Sequence, residues 1–200
     1  KGEAIVLSII SGTPAACAAS RTEPNHDPKE TPLTKSLLDG KGLKLGTFSA
    51  NCSSGMAVTK IEDRWKATWD DNLRLARLCD ATGIDFMLPI ARWIGYGGDT
   101  NFHEGVLDPV ALAAGIVSNT ENVVAFATVH TAFNHPVVTA KAMATVDQIG
   151  QGRAGLNIVA GWNKPEYDAM GVDLPQDHDD RYAMAQEWWE VVKRLWTEEG

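Results

Sequence analysis

Gly152-Arg153-Ala154-Gly155-Leu156-Asn157-Ile158-Val159-Ala160-Gly161-Trp162 is the stretch on which the reading of the fold turns. Gly150 and Gly152 stop the helix-patterned segment before it. Ala154 to Val159 is then a short apolar run, as a strand covered on both faces requires. One residue breaks the run. Asn157 puts an amide among apolar neighbours, and burying an amide without partners costs about 1–3 kcal/mol. A side chain on a neighbouring strand or a planar polar ligand has to satisfy it. Glu166 and Tyr167 follow on the loop, and a last helix runs from near Asp179 to Trp196, with Tyr182, Ala185, Trp189, Val192 and Trp196 spaced three and four apart on its apolar face.

Working back toward the N-terminus, the same order of strand and helix recurs. Leu43 to Ser49 is a strand, and a helix around Trp69 to Cys79 stops at Gly83. Phe86 to Ile90 is the second strand. Asp108-Pro109 opens a helix with a capping side chain and a proline whose missing N–H costs nothing there, and that helix reaches about Ser118. Val123 to Val129 is the third strand. Asn134-His135-Pro136 starts the helix that Gly150 ends. Four strand-then-helix units in a row imply a parallel sheet, because parallel neighbours need a crossover, almost always right-handed. Two architectures satisfy this, a doubly wound sheet and part of a (β/α)8 barrel. A complete barrel takes about 250 residues, so the chain is expected to hold about half of one.

Composition narrows the function classes. With 44% hydrophobic and 22% charged residues, the chain reads as one soluble globular domain. A formal charge of -8 argues against nucleic acid or an anionic membrane surface as a partner, since either calls for a basic patch. No run approaches the roughly 20 apolar residues of a membrane span. Cys17, Cys52 and Cys79 form no CxxC, which points to a reducing, cytoplasmic setting. The seven tryptophans read as core or interface pieces.

Residues 1–41 are expected to be a disordered or mis-started tail. Lys1, the apolar Ala4 to Ile10 and Ala15-Ala16-Cys17-Ala18 trace a faint signal-peptide outline that Glu3 weakens, and no initiator methionine is present. Arg21 to Lys41 is rich in Pro, Thr, Glu and Lys without a period. The folded unit is expected over residues 42–200.

In parallel α/β folds the loops after the strands make the site. Ser49, Ala50, Asn51 and Cys52 follow the first strand without a His-x-His, so no metal centre is expected, and no glycine-rich nucleotide loop is present. Ala91-Arg92-Trp93 and Gly95-Tyr96-Gly97-Gly98 follow the second. Arg92 suits an anionic ligand or a carboxylate partner equally. Thr128, His130 and Thr131 end the third strand, where a lone histidine reads first as structural. Arg181-Tyr182 open the last helix, whose N-terminus favours an anion; Asp177 to Asp180 read as its cap.

The ordered set of Gly152 to Trp162, Lys164-Pro165-Glu166-Tyr167, Met170-Gly171 and His178-Asp179-Asp180-Arg181-Tyr182, with Gly95 to Gly98 and Asp147 to Gly152, resembles the bacterial-luciferase-like flavin-dependent monooxygenases. The likeness covers roughly Leu43 to Trp196 and is greatest to the branch of pyrimidine, dimethylsulfone and alkanesulfonate monooxygenases. The resemblance implies a luciferase-like (β/α)8 TIM barrel with about its first four βα units in this chain. It also implies an enzyme that receives reduced FMN (FMNH2) from a separate NAD(P)H:flavin reductase, reacts it with O2 to a flavin peroxide, and inserts one oxygen atom into a small organic substrate. A homo-oligomer is expected. Flavin contacts carried over from the pyrimidine branch fall on Ala91, Arg92, Asn157, Glu166, Arg181 and Tyr182, and the oxygen pocket on Thr128 and Asn157 as catalytic residues. An F420-dependent oxidoreductase of the same barrel and a non-catalytic fragment are the alternatives.

Overall fold

The computed structural model describes residues 6–9, 37 and 42–198. In chain order the elements are β1 (Val6–Ile9), β2 (Gly46–Phe48), α1 (Trp69–Thr82), β3 (Phe86–Leu88), α2 (Pro109–Ser118), β4 (Val124–His130), α3 (Pro136–Ile149), β5 (Ala154–Val159), α4 (Lys164–Met170) and α5 (His178–Thr197). They form a five-stranded sheet in the order β1-β5-β4-β3-β2. β2 to β5 are parallel and adjacent in sequence order, as successive βα units place them.

Local chemistry sets the boundaries. Thr68 and Asp71 form a capping box at the start of α1, and Gly83 ends it in the left-handed conformation at φ 79°. Asp108 caps α2 through the Ala111 N–H at 2.8 Å. β3 stops at Leu88, two residues short of the expected Ile90, because Pro89 has no N–H for the ladder and the Ile90 N–H goes instead to Asn51 Oδ1 at 2.9 Å. β2 likewise shortens to Gly46–Phe48.

Two elements were not expected. Val6–Ile9 lies within the segment read as a tail, yet it runs antiparallel to β5, in register from Val6 opposite Ile158 to Ile9 opposite Gly155. It takes up the backbone groups on the edge of β5 that β4 leaves free. Glu166 and Tyr167, read as loop residues, stand on the short helix α4, which Gly171 ends at φ 66°. Seven residues are too few to show a helical period.

Alternation along β4 divides the core, and all seven of its residues are buried. Ala125, Ala127 and Val129, with Leu156 and Ile158 of β5, face Ile116 and Val117 of α2, Met143 and Val146 of α3, and Trp188 and Val192 of α5. Val124 and Phe126 point the other way and pack with Leu88, Phe86 and Leu37. Thr128 and His130 share that second face. Glycine makes room for the rings on it: a Cβ on Gly155 would lie 2.5 Å from Phe126, and one on Gly46 2.2 Å from Phe86. On the helix side Trp188 donates to the Asn134 carbonyl and Trp196 to that of Ala140, which fastens α5 to α3 and its lead-in.

Arg153, just before β5, is buried and donates to the carbonyls of Val117, Thr120 and Val123 and to Thr120 Oγ1, at 2.7–3.1 Å. It satisfies the C-terminal carbonyls of α2 that the helix leaves open. Asp80 holds the same turn from α1 by accepting the N–H groups of Glu121, Asn122 and Val123. Arg153→Leu strands three carbonyls, two of them buried, and at about 1 kcal/mol for each we expect a loss of roughly 2–3 kcal/mol of unfolding free energy in urea denaturation. An unchanged midpoint would contradict this role.

Candidate active site

The C-terminal ends of β3, β4 and β5 gather most of the polar residues that the sequence brought forward. Thr128 on β4 lies directly opposite Asn157 on β5 in the parallel register. Asn157 Nδ2 donates to Thr128 Oγ1 at 2.9 Å, and Thr128 in turn donates to the Pro89 carbonyl at 2.5 Å. A chain of hydrogen bonds therefore runs from β5 through β4 to the loop that leaves β3. Both side chains are 3% exposed. The neighbouring strand thus satisfies half of the Asn157 amide. Its other half, Oδ1, is buried without a partner among the described residues.

One layer above, Glu166 of α4 is completely buried. Its Oε1 accepts the Trp93 N–H at 2.9 Å and Arg92 Nη1 at 3.3 Å. Arg92 follows β3, so the pair ties the loop after β3 to the helix after β5. The Arg92 guanidinium also lies 5.0 Å from the centre of the Tyr96 ring and 5.2 Å from that of Trp162, within cation–π range of both. Glu166 Oε2 and Arg92 Nε are buried without partners among the described residues. Ala91, also buried, precedes Arg92 on the same loop. Trp93 and Trp162 stand at this rim, each 44% exposed.

Arg181 and Tyr182 sit at the start of α5. Arg181 Nη1 donates to the carbonyls of Pro175, Gln176 and Asp177, which closes the loop leading into the helix, and its buried Nε has no partner among the described residues. Its positive charge acts on Tyr167, whose phenol burial raises above the ordinary range. Tyr182 stacks on His178, with ring centres 4.4 Å apart. Arg181 thus reaches the site through its charge on Tyr167 rather than through the Arg92–Glu166 pair, and Tyr182 packs on His178 at the same helix start.

Several participants had little or no signal in the sequence. Asn51 is fully buried and fixes the loop after β3, donating to the carbonyls of Ile90 and Leu107 while accepting the Ile90 N–H. His103 gives Nε2–H to the Gly55 carbonyl at 2.7 Å, because a carbonyl can only accept. Tyr167 donates to the Ala160 carbonyl, and its hydroxyl fills the space beside Gly161, where a Cβ would be 1.7 Å away. Burial pushes the Cys52 thiol up to about 11, which makes it inert as a nucleophile. Among the described residues no cluster of His, Cys, Asp and Glu is arranged to hold a metal ion, and no helix is long and apolar enough to cross a membrane.

Residues 43–200 match the family model described as luciferase-like monooxygenase. Pyrimidine monooxygenase RutA of Pseudomonas savastanoi pv. phaseolicola is 33% identical over 157 residues, covering 78% of this chain and 43% of the relative. RutA of Shigella flexneri is 32% identical over 167 residues, covering 82% and 44%. The chain thus spans less than half the length of these curated relatives. Among solved structures, riboflavin lyase RcaE, with modified FMN and riboflavin, aligns at a TM-score of 0.68 and 29% identity, covering 78% of this chain and 38% of that one. EDTA monooxygenase EmoA from Chelativorans sp. BNC1 aligns at 0.67 and 25% identity with the same coverage.

His130 supplies a test of the buried geometry. It is 4% exposed, and burial chiefly lowers its pKa to about 4, Arg92 adding to the effect and Glu166 opposing it. In the unfolded chain a histidine titrates near 6.5. Between those values the unfolded state binds the proton and the folded state does not, so stability present above pH 6.5 is lost as pH falls toward 4. The contribution amounts to about 3 kcal/mol. We expect the wild type to lose stability over that window more steeply than His130→Asn, read from urea midpoints at each pH; parallel curves would contradict it.

Proposed function

The chain belongs to the luciferase-like monooxygenase family, and on that premise we propose that it is the flavin-holding part of a monooxygenase that uses FMNH2 and O2 to place one oxygen atom in a small organic substrate. The observation that carries this reading is the unpaired Oδ1 of Asn157. The amide is locked by Thr128 on one side and left open on the other, on the strand face opposite the helices.

The donor set fits a flavin ring, which combines flat apolar faces with an edge of N–H and carbonyl groups. Asn157 Oδ1 and Glu166 Oε2 are free to accept a hydrogen bond, and Arg92 Nε to donate one; all three are buried and unpaired among the described residues. Each costs about 1–3 kcal/mol while it remains so. Trp93 and Trp162 offer aromatic surface at the same rim. Reduced flavin would supply the reducing equivalents for oxygen transfer, and the protein would position the ring and keep water away. In this reading Ala91, Arg92, Asn157 and Glu166 hold the ring, Thr128 fixes Asn157 and borders the oxygen pocket, and Arg181 with Tyr182 frame the outer side.

Glu166 and Arg92 neutralise one another, so the carboxylate presents a hydrogen-bond acceptor to the ligand without an uncompensated charge. An NAD(P)H:flavin reductase would deliver the FMNH2, which fits a cytoplasmic protein; the buried, unpaired thiols of Cys52 and Cys79 accord with such a setting.

Titration with oxidised FMN, anaerobically reduced FMN and F420 tests the assignment. We expect FMN to bind and both Asn157→Leu and Thr128→Val to weaken it by roughly five- to a hundredfold. Binding of F420 alone would overturn the FMN reading.

A further inference from the structure

Beyond the residues that the family resemblance brings forward, a buried histidine on the same strand face has a ring nitrogen without a hydrogen-bond partner among the described residues. We propose that His130 is a flavin-facing residue whose Nδ1 hydrogen-bonds the bound isoalloxazine ring; the inference rests on the reading of the site as a flavin site. Strand alternation puts His130 on the face of Thr128, two residues further along β4. The two lie about 7 Å apart, a distance that a fused ring system spans. Its partner in the register is Val159, whose side chain has no polar atom to offer, whereas Thr128 is opposite Asn157.

The surroundings hold the ring of His130 in place but leave its Nδ1 open. Its own carbonyl accepts the Asn134 side chain at 2.9 Å, which anchors the strand end. Phe133 packs against the imidazole with ring centres 5.3 Å apart. Arg92 and Glu166 act on it electrostatically from the loop after β3 and from α4, with opposite signs. Nδ1 itself is buried with no hydrogen-bond partner among the described residues, as is Asn157 Oδ1 on the adjacent strand. A histidine serving only to fill space would be replaced by an apolar residue without this unmet polar atom. Two unmet polar atoms on one strand face instead describe a polar ligand edge.

A buried imidazole has a further consequence for the ring it contacts. Held neutral by burial, His130 offers a hydrogen bond without adding a positive charge beside the flavin. A lysine in its place would favour the more negative reduced flavin and so shift the flavin potential upward.

The test combines NMR and binding, both with FMN as the probe. Long-range 1H–15N spectra of protein labelled at its five histidines are recorded before and after saturation with FMN, with His130→Asn identifying the resonance. The proposal expects the His130 Nδ1 signal to move on FMN addition. It also expects His130→Leu to weaken FMN binding by roughly five- to a hundredfold, while His130→Asn, whose amide can reach the place of Nδ1, stays within about threefold of wild type on the same scale. If FMN binds, as its own absorbance change reports, but the His130 signal stays put, the inference is overturned and the flavin reading stands. If FMN does not bind the wild type, the flavin reading fails and the inference falls with it. Should the leucine variant not fold, the wild-type spectra alone decide.

Discussion

A carboxylate with no access to water has to be neutralised where it lies, and the completely buried Glu166 meets that requirement through Arg92, 74 residues earlier in the chain. The constraint reaches well beyond the pair. Because Glu166 also accepts the Trp93 N–H, the loop after β3 is held at side chain and backbone at once. Because α4 carries Glu166, the turn from β5 into that helix has to be tight. Gly161 permits it, its neighbour Tyr167 lying so close that any side chain at position 161 would collide. Beneath this layer the register of β4 and β5 sets Thr128 against Asn157. The rim is thus fixed from two directions, by the sheet below and the ion pair above.

Rigidity of this kind leaves polar atoms unmet among the described residues. Asn157 Oδ1, Glu166 Oε2, Arg92 Nε and His130 Nδ1 are each held by contacts to the rest of their own residue and cannot turn away to find water. In a rim made only for stability such atoms would be paired or replaced. On the proposed flavin reading they are groups set out in advance for a ligand with its own donors and acceptors along one edge, which is the preorganisation a cofactor site needs.

The parallel order of β2 to β5 was legible in the sequence, since glycine stops, proline starts and apolar runs mark each unit, and Asn157 stood out because an amide interrupts an apolar strand. Arg92 was visible only as a choice between ligand and carboxylate; the structure shows the carboxylate partner, and only a contact across 74 residues could decide that. Asn51 gave no sign of its three bonds to the β3 and α2 lead-in loops, because backbone partners carry no sequence signature. α4 was too short for its period to show. Trp188, rather than Trp189, proved to be the buried tryptophan of α5, a shift of one position that depends on how the helix rolls against α3. Arg153, second residue of the recognisable motif, turned out to serve the C-terminus of α2, so part of that motif records folding rather than chemistry.

In the proposed site the unpaired edge of Asn157 faces flavin. A crystal structure of the protein grown with FMN tests it most directly. We expect the isoalloxazine ring at the ends of β4 and β5, with a ring atom within hydrogen-bond distance of Asn157 Oδ1 and the Thr128–Asn157 bond intact. An ordered water satisfying Oδ1, with the ring bound elsewhere on the molecule, would contradict it.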